Sequence, residues 1–75
     1  MPNMNILTIY MPLLNEGTDV WAPVRAERLA GDKFRVLGPM PADQEWTFRP
    51  GVQVRVQRRI FDSASEQLAA VEIWK

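Results

Sequence analysis

The sequence contains no cysteine and no histidine. That excludes disulfide stapling, thiolate catalysis, zinc-finger sites and every triad built on an imidazole base. Neither charge is in surplus: nine Lys+Arg stand against nine Asp+Glu. Nucleic-acid affinity comes largely from neutralised phosphates, so the overall balance is not that of a phosphate-backbone binder. No apolar run approaches the roughly 20 residues that cross a bilayer as a helix. The apolar stretch 1–14 lacks a basic leading region and a small-residue cleavage site, so it does not read as a signal peptide. The expected location is the cytoplasm, with no membrane partner. Glycine-rich phosphate loops, a nucleophile elbow and internal repeats are also missing. The only serines, Ser63 and Ser65, share one polar turn and have no histidine to activate them. No catalytic residue, metal or cofactor is assigned, and the chain does not read as an enzyme.

What is present fits one small domain spanning residues 1–75. Hydrophobic residues are 47% and charged residues 24%, within the globular range. A chain of 8.6 kDa is small. At that size folding buries roughly 60% of the extended surface, enough for a small core but not for a deep walled cavity as well.

The pattern is one of short strands and turns. Asn5–Met11 puts Leu7, Ile9 and Met11 on one face and Ile6, Thr8 and Tyr10 on the other. Residues 15–19 form a polar turn. Val20–Leu29 alternates cleanly, with Val20, Ala22, Val24 and Ala26 opposite Trp21, Pro23, Arg25 and Glu27. Small inward residues suit a tightly curved sheet. Pro23 has no N–H, so that edge position must face solvent or a bulge.

Gly31-Asp32 signals a hairpin before Lys33–Leu37. A two-residue loop pairs Leu29 with Phe34 and turns Phe34 and Val36 away from the Val24/Ala26 face. A three-residue loop pairing Ala30 with Phe34, or an equivalent bulge, keeps all four on one buried face and is preferred. Residues 38–45 form an irregular loop, and Trp46-Thr47-Phe48 is a short strand or an aromatic anchor. Pro50-Gly51 marks a turn. Val52, Val54 and Val56 point inward against Gln53, Arg55 and Gln57, with a phase break at Arg58. Residues 62–66 form a polar turn. The segment 64–74 reads two ways. Ser63 and Glu66 have the spacing of a capping box that would start a short helix. Ala69, Val71 and Ile73 also alternate against Ala70, Glu72 and Trp74, and the strand is preferred because so short a helix is marginal.

Five strands with regular turns predict an all-β fold: a small, five-stranded, partly open SH3-like barrel. The stretch from Leu13 to Val36, then Glu45–Val56, resembles a group of small bacterial proteins. They share an EGTDVW-[RA]-PV-x-A pattern, a hairpin, and EEW-x-F-x-PG-x-x-V. The resemblance covers residues 7–72 and implies common ancestry and fold; it carries no activity. Ala22 and Gln44 depart from it, standing where an arginine and an acid are common.

Three surfaces are candidates. Trp21 and Trp74 fall on the phase opposite the small inward residues. They are either exposed or form a second, minor core beneath the 38–48 loop that carries Trp46. The leading expectation is a binding surface for a protein partner or a second copy, formed by Trp21, Trp46 and Trp74 with Arg25 and Arg35 as polar flanks. The alternative is a single-stranded nucleic-acid face on the outward residues Arg25, Arg35 and Arg55, with Arg58-Arg59 beside Phe61 a smaller candidate. Cross-strand pairing of these arginines, for instance to Glu27, is the competing structural reading. Glu16 with Asp19, and Asp43 with Glu45, are two acidic loop pairs, too few for a good calcium cage.

Overall fold

The structure is a computed structural model and describes residues 5–14, 20–61 and 66–74. It holds five strands: β1 (Ile6–Pro12), β2 (Trp21–Ala30), β3 (Lys33–Val36), β4 (Gln53–Ile60) and β5 (Glu66–Ile73). Consecutive strands pair antiparallel, and β5 returns to β1 to close a barrel. An odd number of alternating strands can close only with one parallel pair. Here that pair is the bridge Tyr10–Ala69 between β1 and β5. The fold is therefore the expected all-β SH3-like barrel, but closed rather than partly open.

Alternation builds the interior. Ile9, Met11, Val24, Ala26, Phe34, Val36, Val54, Val56 and Ala70 form one buried cluster. The small residues Ala22, Val24 and Ala26 lie inward on β2, as its period predicts. Pro23 sits opposite Tyr10 on β1. The bonds Leu13 N–H to Val20 C=O and Arg28 N–H to Asn5 C=O place the hydrogen-bonded pairs at odd β1 positions. Pro23 thus falls in a non-bonded pair, and its missing N–H costs the β1–β2 ladder nothing.

Two bulges keep the inward faces in phase. The turn between β2 and β3 has two residues, Gly31 and Asp32, with Ala30 paired to Lys33. Left uncorrected, that turn would send Phe34 outward. Leu29 is skipped, so Arg28 pairs with Phe34 and Ala26 with Val36. The one-face expectation holds through the bulge, not through a three-residue loop. Gly31 has φ +45°, which favours glycine.

The second bulge lies in β5. Arg55 pairs with Glu72 and Val56 with Ala70, leaving Val71 without a partner. β4 runs regularly through Arg58 to Ile60, so the phase break expected at Arg58 belongs instead to β5. Residues 66–73 form a strand and not a helix, because they pair with β4 along the segment on both sides of the Val71 bulge. The serines and the turn residues 62–65 lie outside the described residues.

One end of the barrel is plugged. Trp46 is 5% and Phe48 8% exposed, and both join the core, with Leu13 and Met40 packed against it. The indole N–H of Trp46 donates to Gln44 Oε1 at 2.9 Å, so its polar atom is satisfied. The loop is tied to the end of β1 by Leu14 N–H to Glu45 C=O and Thr47 N–H to Pro12 C=O. Thr47 Oγ1 also donates to the Pro12 carbonyl at 2.8 Å. The turn 49–52 has Pro50 second, Gly51 third with φ +94°, and Val52 N–H donating to Arg49 C=O, the signature of a type II turn.

Removing the plug tests this account. Trp46→Ala is expected to destabilise the fold by about 3–5 kcal/mol. A domain of this size holds only about 4–11 kcal/mol in total. Urea unfolding should show a large loss of midpoint. An unshifted midpoint would mean that Trp46 packs against nothing that matters.

Candidate functional site

On the outer surface, the residues opposite the core form two distinct patches. The first gathers aromatic rings from three segments. Tyr10 lies outward on β1, between the fully buried Ile9 and Met11. Trp21 opens β2, two pairs along from Tyr10–Pro23 at Pro12–Trp21 and so on the same outer face. Phe61 follows β4 and stacks on Tyr10 with ring centroids 4.7 Å apart. It meets Trp21 edge-on at 5.1 Å. The Arg59 guanidinium sits 5.0 Å over the Trp21 ring, a cation–π contact.

One strand lies between Phe61 and Tyr10 in the barrel order: β5 separates β4 from β1. The β5 residue in that row is Ala69, paired to Gln57 on one side and Tyr10 on the other. Ala69 faces outward, since its neighbour Ala70 faces the core, yet it is completely buried. Tyr10, Trp21 and Phe61 all remain half-buried.

The second patch is charged. Arg35 pairs across strands with Glu27, and their side chains form an ion pair. Arg55 sits opposite Glu72 and pairs with it likewise. Trp74 is half-buried beside this patch: its N–H bonds to Gln53 C=O, and Lys33 Nζ lies 5.7 Å over its ring. Arg58 makes a looser contact with Glu66 at 3.8 Å. Exposed pairs of this kind contribute about 0–1 kcal/mol each. Their consequence is local neutrality: two of the three arginines proposed as a nucleic-acid face are matched by carboxylates.

Comparison with protein-family models, with curated proteins and with solved structures finds no match.

The residues singled out from the sequence therefore scatter. Trp21 sits in the aromatic patch, Trp74 and Arg35 in the charged one, and Trp46 in the core, where it offers packing and no surface. Trp21 meets the Phe61 ring edge-on. Arg25 shares the outward row of β2 with Trp21, and no carboxylate pairs with it among the described residues. It borders a shallow cleft of about 340 Å³ walled by Pro23, Leu37, Pro39 and Pro41. Glu16 and Asp19 lie outside the described residues. Asp43 and Glu45 are exposed on the loop. Among the described residues no three potential metal-binding side chains converge. Sequence reasoning missed Tyr10 and Phe61 as partners of Trp21. Tyr10 was legible as outward by phase; its meeting with Phe61 was not.

The two patches should respond differently to truncation. Phe61→Ala removes two ring contacts and is expected to cost about 1–3 kcal/mol. Arg35→Ala or Arg55→Ala should stay within about 1 kcal/mol. Thermal unfolding ranks the three, and the reverse order would show that the surface is held by its ion pairs.

Proposed function

We propose that this protein is a small non-catalytic interaction module that binds a protein partner through the outer aromatic patch around Trp21. The observation that carries this reading is the half-exposed set Tyr10, Trp21 and Phe61, with Arg59 over the indole. Aromatic and arginine side chains dominate the energetics of protein interfaces, and a patch of this make-up is costly to leave in water. Arg25, on the same row of β2, supplies a second cation. The partner surface complementary to this patch is apolar with acidic flanks. Arg35 and Trp74 belong to the other patch, and Trp46 acts as the support of the barrel end.

The charge pattern favours protein over nucleic acid. Arg35 and Arg55 are occupied by Glu27 and Glu72, so the face that would track a phosphate backbone keeps only Arg25 uncommitted. A strong, steeply salt-dependent affinity for mixed single-stranded oligonucleotides would reverse this preference.

Trp21→Ala tests the reading. The variant is expected to fold, because Trp21 is not in the main core, and to lose the partner or self-contact that the parent protein shows on co-purification from native lysate. If it folds with an unchanged spectrum and keeps every contact, the aromatic patch is packing alone.

A further inference from the structure

The barrel end opposite the Trp46 plug is unfinished on one side. β3 reaches β4 only as far as Arg55, opposite Lys33, and a last bond runs from Val56 N–H to Asp32 C=O. Beyond it β4 continues, paired only with β5, through Ile60 opposite Glu66. Gln57, Arg58, Arg59 and Ile60 are all exposed. The Val56 bond fixes which way the backbone points. Even positions of β4 turn their N–H and C=O toward β3, and odd positions turn theirs toward β5. The N–H and C=O groups of Arg58 and Ile60 therefore line a strand edge with no partner among the described residues.

This edge borders the open mouth of the barrel. A cleft of about 360 Å³ there is lined by Leu7, Phe34, Val56 and Leu68, with Arg28 and Arg58 at its rim. Ile60, on the inward phase, is 68% exposed, and Leu7 is 38% exposed. Arg28, Arg58 and Arg59 surround the edge, against Asp32 and Glu66. An unpaired edge beside apolar side chains is a template for an added strand, unless charge prevents it.

We propose that the β4 edge at Arg58–Ile60 accepts an extended acidic segment of a partner protein as an added strand. Its apolar side chains would lie on the inward face, against Ile60, Leu68 and Leu7, and its carboxylates on the outward face, beside Arg59. A second copy of this chain is the wrong occupant. Two identical edges meeting about a twofold axis at Arg58 or Arg59 would set that arginine directly against its own copy, and like charges directly opposite are destabilising. The inference rests on the reading as an interaction module and shares Arg59 with the Trp21 patch, but its backbone contacts are on the β4 edge, which that patch does not use.

The test uses a blocked peptide of about ten residues alternating valine and glutamate, a length suited to one added strand. On titration, the amides of Arg58 and Ile60 should exchange with solvent about tenfold more slowly or better, as newly bonded edge amides do. Those of Gln57 and Arg59, already turned toward β5, should change little. Ile60→Pro removes an edge N–H that the barrel itself does not use. It should keep the fold and weaken binding about tenfold or more. Arg59→Glu reverses the charge facing the carboxylates and should weaken binding. Trp21→Ala leaves the edge N–H groups in place and should leave peptide binding intact, while Ile60→Pro should leave the Trp21-dependent contact intact, so the two readings can fail separately. Unchanged exchange at saturating peptide would overturn the proposal. So would equal binding of a valine–lysine peptide, or protection of the same amides by raising protein concentration alone.

Discussion

The barrel depends on a single phase relation: every strand must turn the same side toward the interior. With so few residues, one strand out of phase would put a valine in water and an arginine in the core. The two bulges, at Leu29 and Val71, are what maintain the relation. Each absorbs one residue, and each lies next to a place where the chain would otherwise slip. Leu29 compensates for the tight Gly31-Asp32 turn. Val71 lets β5 present Ala70 to the core and still match Glu72 to Arg55.

Closure follows from the same relation. Five alternating strands leave β1 and β5 parallel where they meet, and only Tyr10–Ala69 registers as a pair there. The seam is reinforced from outside. Phe61 touches both Tyr10 and Trp21 on the outer surface, and Ala69, the β5 partner of Tyr10, is completely buried. The aromatic patch thus has two roles. It adds ring contacts beside a weak seam in the wall, and it leaves apolar rings half in water, where a partner can meet them. Aromatic rings suit both, because they bury large areas and lose little conformational freedom.

The two ends of the barrel are finished differently. One is plugged by Trp46 and Phe48, tied back to β1 by backbone bonds. At the other, β4 and β5 outrun β3 and leave an apolar mouth beside a bare edge. Charge is distributed to match. On the wall, arginines meet glutamates across strands and cancel. Near the mouth and the aromatic patch, arginines outnumber their matched carboxylates. A chain that is neutral overall can therefore still favour acidic partners at chosen places.

The inward and outward sides of β2 and β4 were legible from residue order alone, because a strand's side-chain period is fixed by its backbone. So were the Pro50-Gly51 turn and the need for a phase correction after Leu29. The strand at 66–73 was readable only as one of two possibilities, since a bulge mixes its periods and imitates a helix. Closure, the plug role of Trp46 and the meeting of Phe61 with Tyr10 and Trp21 were decided by tertiary structure. Each depends on which strands become neighbours around the barrel, and local alternation says which side a residue faces but not what stands across from it.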